Sequence, residues 1–340
     1  EGYAGSVNAS ASISGFGDGV TIVADLVADG GFGDQIGSFR VESLGSDSAF
    51  TALVGGGPRI GMSSRRILPK EARELRDVGA GNMVSPSQEH VIAVDSLIIV
   101  THPDNPVETL TLDQVADIFA GRISNWAEVG GRNIDILPVN LDLGSGTRAV
   151  FEDRVMDGKE INVPDNVNAV DQVDDVADMV NANEGAIGYT GFAFQRGAKP
   201  ISIINECGIE MIPDAFSART EEYALQRRLY LYTREDSDNP QIDSLVNYAS
   251  SAAADGVISK SGFISLGIDR QSQPMESSRA QMLLSANADA YETQLMRKML
   301  SDMTAFDRLS TTFRFRTASS RLDERGRIDM VRLVDYLQNQ

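Results

Sequence analysis

The sequence predicts an α/β protein built around a largely parallel sheet, and three observations carry that expectation. Apolar runs of β-type residues alternate with segments of helical periodicity. The junctions between them are rich in Gly, Ser and Thr. A length of 340 residues suggests about two domains. With 42% hydrophobic residues and 11 prolines, the chain can build packed cores.

The elements follow in order. Residues 1–19 are rich in Gly, Ser and Ala; Ser6 to Ile13 alternates weakly, as an edge strand would, before a glycine loop from Ser14 to Gly19. Val20 to Val27 reads as helical or extended, and Phe39 to Leu44 as a strand. Gly45-Ser46-Asp47-Ser48 then turns into a helical Ala49 to Val54. Arg59 to Met62 is a short strand ending in Ser63-Ser64-Arg65-Arg66. His90 to Val100 is strongly β-like. Pro103 and Pro106 exclude a helix after it and mark a connection near a lobe boundary. His102 reads as a turn residue there.

Thr111 is placed to cap a helix carrying Val115, Ile118 and Phe119, and Trp126 to pack beneath the next turn. Ile134 to Val139 reads as a buried strand. Val170 to Val180 spaces its apolar residues at three- and four-residue steps with carboxylates between them, an amphipathic helix with an acidic face. Leu229 to Tyr232 reads as another buried strand. Further on, Met282, Leu283, Leu284, Tyr291, Leu295, Met296, Met299, Leu300, Met303 and Phe306 form a helical stripe expected to be a packing face. Thr311 to Arg316 alternates like a strand, and a helix carries Ile328, Val331 and Val334.

The most informative stretch is Gly144-Ser145-Gly146-Thr147-Arg148, between the apolar run ending at Val139 and a helix. Glycines allow a tight turn and close approach to a ligand. The hydroxyls of Ser145 and Thr147 stand where a helix leaves its first amides unpartnered and its dipole is positive, and Arg148 adds a cation. Such a constellation favours a small oxyanion; an ordinary capped turn is the alternative. Ser46, Ser48, Ser63 and Ser64, with Arg65, bring hydroxyls to two further strand-to-loop junctions. In parallel α/β sheets, ligands collect at such strand ends.

A net charge of −19 opposes non-specific nucleic-acid binding. It does not forbid capture of a small anion, because salt screens remote charges within about 8–10 Å. The single cysteine, Cys207, excludes an internal disulfide and a Cys-rich zinc site. No apolar run reaches membrane-helix length, and no signal peptide is visible. No cofactor or metal is expected. A hydrolase or phosphatase lacks support: there is no Gly-x-Ser-x-Gly elbow, only two histidines and no clustered metal ligands.

Leu110 to Trp126 resembles a signature of the phosphate-binding (PstS-like) proteins that feed bacterial ABC importers. Gly61 to Arg65, Val100 to Pro106, Gly144 to Arg148, Gly185 to Tyr189, Arg227 to Tyr232 and Gly262 to Ile264 follow the same order, covering about residues 40–268. The resemblance implies a two-lobed periplasmic binding protein type II fold. Lobe 1 would comprise 1–96 and 193–268, and lobe 2 would comprise 97–192. It implies capture of phosphate or a similar oxyanion between the lobes, a periplasmic location, importer membrane subunits as partners, and no catalysis. Ser145, Gly146 and Thr147 match the family's contact turn. Residues 269–308 would be a helical linker. Residues 309–340 resemble the start of an OmpA-like domain, whose peptidoglycan binding would need a longer parent chain.

Two departures accompany the match. The family usually places an arginine a few residues before the contact turn, where this chain has Asn140, Leu141 and Asp142; Arg148 or Arg65 could substitute. Many members carry an aspartate where this chain has Ser64, which would weaken the barrier against sulfate; Asp47 could supply the acceptor or simply stabilise its turn. An envelope scaffold with a decayed cleft is the competing expectation.

Overall fold

The computed structural model describes residues 2–15, 21–29, 34–42, 44–57, 59–142, 145–156, 160, 169–170, 173–205, 208–274, 277, 280–281, 284 and 289–338. Gly144, Cys207, Met282, Leu283, residues 16–19 of the glycine loop, Val20, Ser43, Asp171 and Gln172 lie outside them. The chain divides into two compact units, residues 1–94 with 227–266, and residues 95–226 with 267–340.

In the first unit, Ala9–Gly15, Thr21–Ala28 and Gln35–Glu42 form an antiparallel three-stranded sheet. The ambiguous Val20 to Val27 stretch is thus a strand from Thr21 onward, as its β-branched Thr21, Ile22, Val23 and Val27 favour. Ser6 closes a short helix, Gly2–Ser6, instead of opening a strand. The helix Ser46–Val54 buries Ala49, Phe50 and Leu53. It packs closely on the strand Ile60–Ser63, where a Cβ on Gly61 would come within 2.8 Å of Leu53 Cδ1. That strand runs antiparallel to Gln226–Thr233.

The second unit has a core of Ile98, Ile99, Val115, Ile118, Phe119, Trp126, Val139, Phe151, Val176, Ile187 and Tyr189. Ala186–Gly191 pairs antiparallel with Leu97–Thr101 and parallel with Leu137–Pro138. The expected strand from Ile134 to Val139 is short and broken: Leu137–Pro138 is followed by Asn140–Leu141. Thr111 accepts the Gln114 N–H at 3.1 Å while the Gln114 side chain accepts the Thr111 N–H at 2.8 Å, so the helix Leu112–Phe119 is capped reciprocally. Buried Trp126 donates its indole N–H to the Gly185 carbonyl at 2.9 Å. His102 is a turn residue whose Nδ1 accepts the Asp104 N–H. The acidic helix, Val173–Asn181, buries Val176, Ala177 and Val180.

Two larger expectations are corrected, on strand direction and on the division of the chain. The sheets are mixed: among the described residues, parallel pairs such as Leu137–Pro138 with Ala186–Gly191, Thr109–Thr111 with Ser202–Ile204, and Asn140–Leu141 with Ala169–Val170 stand beside antiparallel ones. Strands joined by short loops return antiparallel, because a parallel return needs a crossover. Residues 193–226 stay with the second unit, not the first, because Lys199–Pro200 pairs with Thr101 and Val100, and Ser202–Ile204 with Thr109–Thr111.

The C-terminal residues also pack in the second unit. Arg314 and Arg325 both reach the carboxylate of Glu221, at 2.7 and 2.6 Å. Thr311 to Arg316 forms a single bridge, Phe315 to Leu322, and the Thr312 N–H goes to Asp329 at 2.7 Å instead of to a neighbouring strand. The apolar stripe on the helix Ala290–Thr304 buries Leu300 and half-buries Met296 and Met303 but leaves Tyr291, Leu295 and Met299 exposed, so among the described residues the packing face expected from its spacing is covered only in part.

Candidate functional site

In the first unit, Gly45 adopts a left-handed φ of 86°, which a side chain would strain, and delivers Ser46 as the first residue of its helix. Ser46 Oγ accepts the Ser64 N–H at 3.0 Å and lies 3.2 Å from Ser64 Oγ. Arg227 Nη1 donates to Ser64 Oγ at 3.4 Å. Ser46 and Ser64 are therefore brought together. Ser48 and Ser63 work locally: the Ser48 hydroxyl donates to the Gly45 carbonyl at 2.6 Å, and the buried Ser63 hydroxyl donates to the Arg65 carbonyl at 2.7 Å.

Arg65 is held by two carboxylates. Glu71 takes it through both oxygens, at 2.6 and 3.0 Å, and Asp47 takes Nη2 at 2.5 Å. The Glu71 side chain is 17% exposed and Asp47 91%. The Arg65 guanidinium also lies over the Phe50 ring, 5.0 Å from its centroid. Hydrogen bonding to Glu71 outweighs burial and strengthens its hold on the proton. Burial pushes the Glu71 carboxyl up, but the hydrogen bonds from Arg65 and from the Leu68 N–H outweigh it and hold the group below the usual carboxylate range. The loop is fixed from behind by Arg66, bidentate on Glu89, and by Tyr232, whose hydroxyl donates to Glu89 at 3.0 Å and accepts the Ile67 N–H.

In the second unit, Ser145 caps the helix Gly146–Phe151, its Oγ accepting the Arg148 N–H at 3.4 Å. Helical geometry gives the Gly146 and Thr147 amides no acceptor inside the helix. Ser145 and Thr147 are half-buried. Arg148, 6% exposed, turns inward: Nε donates to Glu152 and Nη1 to the Leu141 carbonyl, both at 2.8 Å. Its guanidinium thereby ties the turn to the strand that precedes it.

Beneath that turn, Phe151 stacks on Tyr189 with centroids 4.0 Å apart and planes 4° from parallel. The Tyr189 hydroxyl donates to Asn140 Oδ1. Burial raises the Tyr189 hydroxyl, which stays protonated and so remains a donor.

Sequence reading missed Glu71, Arg227 and the Asn140–Tyr189 pair. Only Glu71 left a local trace: it sits three residues after Leu68 and two after Pro69, at the start of a helix, where a carboxylate reaches back to the preceding amide. Asp47 closes on Arg65 across eighteen residues. Among the described residues there is no cluster of His, Cys, Asp and Glu able to hold a metal ion, and no helix long and apolar enough to cross a membrane.

Comparison with known proteins places the chain in context. It is 27% identical over 225 residues to the phosphate-binding protein PstS of Bacillus subtilis, covering 66% of this chain and 70% of that protein. It is 28% identical over 198 residues to the PstS of Staphylococcus saprophyticus, covering 56% of this chain and 59% of that one. Among solved structures, an ABC-type phosphate transport receptor from Vibrio cholerae is similar at 25% identity and a TM-score of 0.51, covering 65% of this chain and 86% of the receptor. A possible phosphate binding protein from Planctomyces limnophilus shares the fold at 22% identity and a TM-score of 0.51, covering 75% of this chain and 84% of that one. The mixed α/β fold is that of two-lobed binding proteins. The profile described as the PBP superfamily domain matches residues 6–255, well over half of the sequence, and the chain belongs to that superfamily.

Proposed function

We propose that this protein is a solute-binding protein that captures phosphate, or a similar tetrahedral oxyanion, by hydrogen bonds and without chemistry. It works in the periplasm and hands its ligand to the membrane subunits of an ABC importer. The observation that carries the reading is the pairing of Ser46 with Ser64 at a helix start, within a chain whose relatives are named for phosphate binding. Ser46 and Ser64 supply hydroxyl donors in one unit. Ser145, the Gly146 amide and Thr147 supply donors in the other. Ser48 and Ser63 shape the first loop, Arg65 braces it through Glu71 and Asp47, and Arg148 holds the second turn.

The test is isothermal titration of phosphate and of sulfate into ligand-stripped full-length chain. Phosphate binding supports the reading, and the absence of heat from both anions sinks it. One observation favours a second reading, an envelope scaffold indifferent to small anions: Arg65 and Arg148, the two candidate cations, are each already paired with carboxylates. The same titration decides between them.

A further inference from the structure

Asn140 belongs to the second unit, on the strand Asn140–Leu141 that precedes Ser145, and it is 1% exposed. Its carbonyl oxygen is engaged twice, by the Tyr189 hydroxyl and by the Leu141 N–H at 3.0 Å. Both are donors. The amide orientation is therefore fixed, because a flipped side chain would set its NH2 against the Leu141 N–H. The Nδ2 atom, carrying two protons, is buried and has no hydrogen-bond partner. Buried polar groups are nearly always satisfied, so an amide locked with its donors empty calls for an acceptor.

The surroundings indicate which acceptor. The Ser145 N–H returns to the Asp142 carbonyl at 2.9 Å, and Arg148 Nη1 to the Leu141 carbonyl, so the start of this helix is tied to the strand that carries Asn140. The charge of Arg148 reaches the Tyr189 hydroxyl that orients the amide. Arg148 is committed to Glu152 and the Leu141 carbonyl, and Arg65, in the other unit, to Glu71 and Asp47. Among the described residues here, the buried side-chain donor without an acceptor is a neutral amide, Asn140 Nδ2.

We propose that Asn140 Nδ2 is a ligand donor, hydrogen-bonding an unprotonated oxygen of the oxyanion beside the Ser145–Thr147 turn. This rests on the oxyanion reading given above and adds the residue that does, uncharged, what a cation would otherwise do in this unit. Tyr189 is then a positioning residue, since it touches the carbonyl side of the amide and not the anion.

The test uses ligand-stripped full-length chain and inorganic phosphate. Asn140→Asp keeps both acceptor bonds, to Tyr189 and Leu141, but removes the donors and adds a like charge; it should weaken phosphate by about 100-fold or more. Ser145→Ala is the control for the site itself and should weaken phosphate on its own. A second measurement needs no variant to fold as well as the wild type: in 1H–15N spectra, the side-chain amide pair of Asn140 should shift on phosphate addition. An amide pair that stays still, or an Asn140→Asp affinity within twofold of wild type while Ser145→Ala weakens binding, overturns the assignment and leaves the oxyanion reading standing. A wild-type chain that binds neither phosphate nor sulfate overturns both.

Discussion

The two hydroxyl turns look alike in sequence and differ in what the fold does with their arginines. In the first unit, Arg65 lies near the surface, over Phe50, clamped between half-buried Glu71 and exposed Asp47. In the second, Arg148 is drawn inside, its side chain 7% exposed, onto a main-chain carbonyl and Glu152. One cation balances surface carboxylates, and the other holds a turn to its strand. An arginine next to a serine-rich turn is therefore not by itself a ligand cation. Where the local fold offers acceptors nearer than any ligand, the guanidinium takes them, because its five donors are costly to leave unmade once buried.

The comparison can be broken most severely from beneath the second turn. Phe151→Ala removes the ring stacked on Tyr189 and should destabilise the protein by about 3–5 kcal/mol in denaturant melts. Amide exchange should rise around residues 145–156 and stay unchanged around Ser46 and Ser64; equal loosening of both would show that the turns are not independent. Arg148→Ala comes next, at about 1–3 kcal/mol, for the lost bonds to the Leu141 carbonyl and Glu152. Its phosphate affinity should fall less than that of Asn140→Asp, and a larger fall would return Arg148 to the ligand.

Asp47→Asn sharpens the contrast in the other direction. It leaves Glu71 on Arg65 but removes the exposed negative charge beside Ser46, so phosphate affinity should rise by about fivefold at low salt and less at high salt. A fall in affinity would make Asp47 an acceptor for the ligand's proton. The smallest effect is acidic. Because the Glu71 carboxyl is held below its ordinary value of 4.5, it contributes stability that is complete above that value and is lost as pH falls through the lowered one. Wild type should melt higher than Glu71→Gln at neutral pH, with the difference closing in acid; a difference that persists unchanged in acid would refute the Arg65–Glu71 coupling.

Local signals located several elements well. The Thr111 cap, the buried Trp126 beside its turn, the acidic helix with Val176 and Val180 inward, and the turn role of His102 all depend on chemistry within a few residues. Strand direction did not follow from alternation alone. Thr21–Ala28 pairs antiparallel with both of its neighbours, and alternating apolar residues look the same whichever way a partner runs. The stripe on Ala290–Thr304 shows the complementary limit: periodicity defines a face but not whether anything covers it.

At the candidate site, sequence brought these segments to notice without saying which side chains were available. The turn residues Ser46, Ser64 and Ser145 stand out because glycine, hydroxyl and helix start are neighbours in the chain. The partners that decide their electrostatics lie far off or off-pattern: Asp47 meets Arg65 across eighteen residues and Tyr189 meets Asn140 across forty-nine.

The residue order alone determined that this chain would build capped helices, short strands and serine-bearing turns, since those are set by backbone sterics and by groups within one helical turn of each other. Only the tertiary structure decided that Arg65 and Arg148 would be neutralised from within and that the Asn140 amide would be locked with its donors empty. Those outcomes depend on which buried groups meet in space, and a buried charge or amide is governed by its neighbours rather than by its place in the chain.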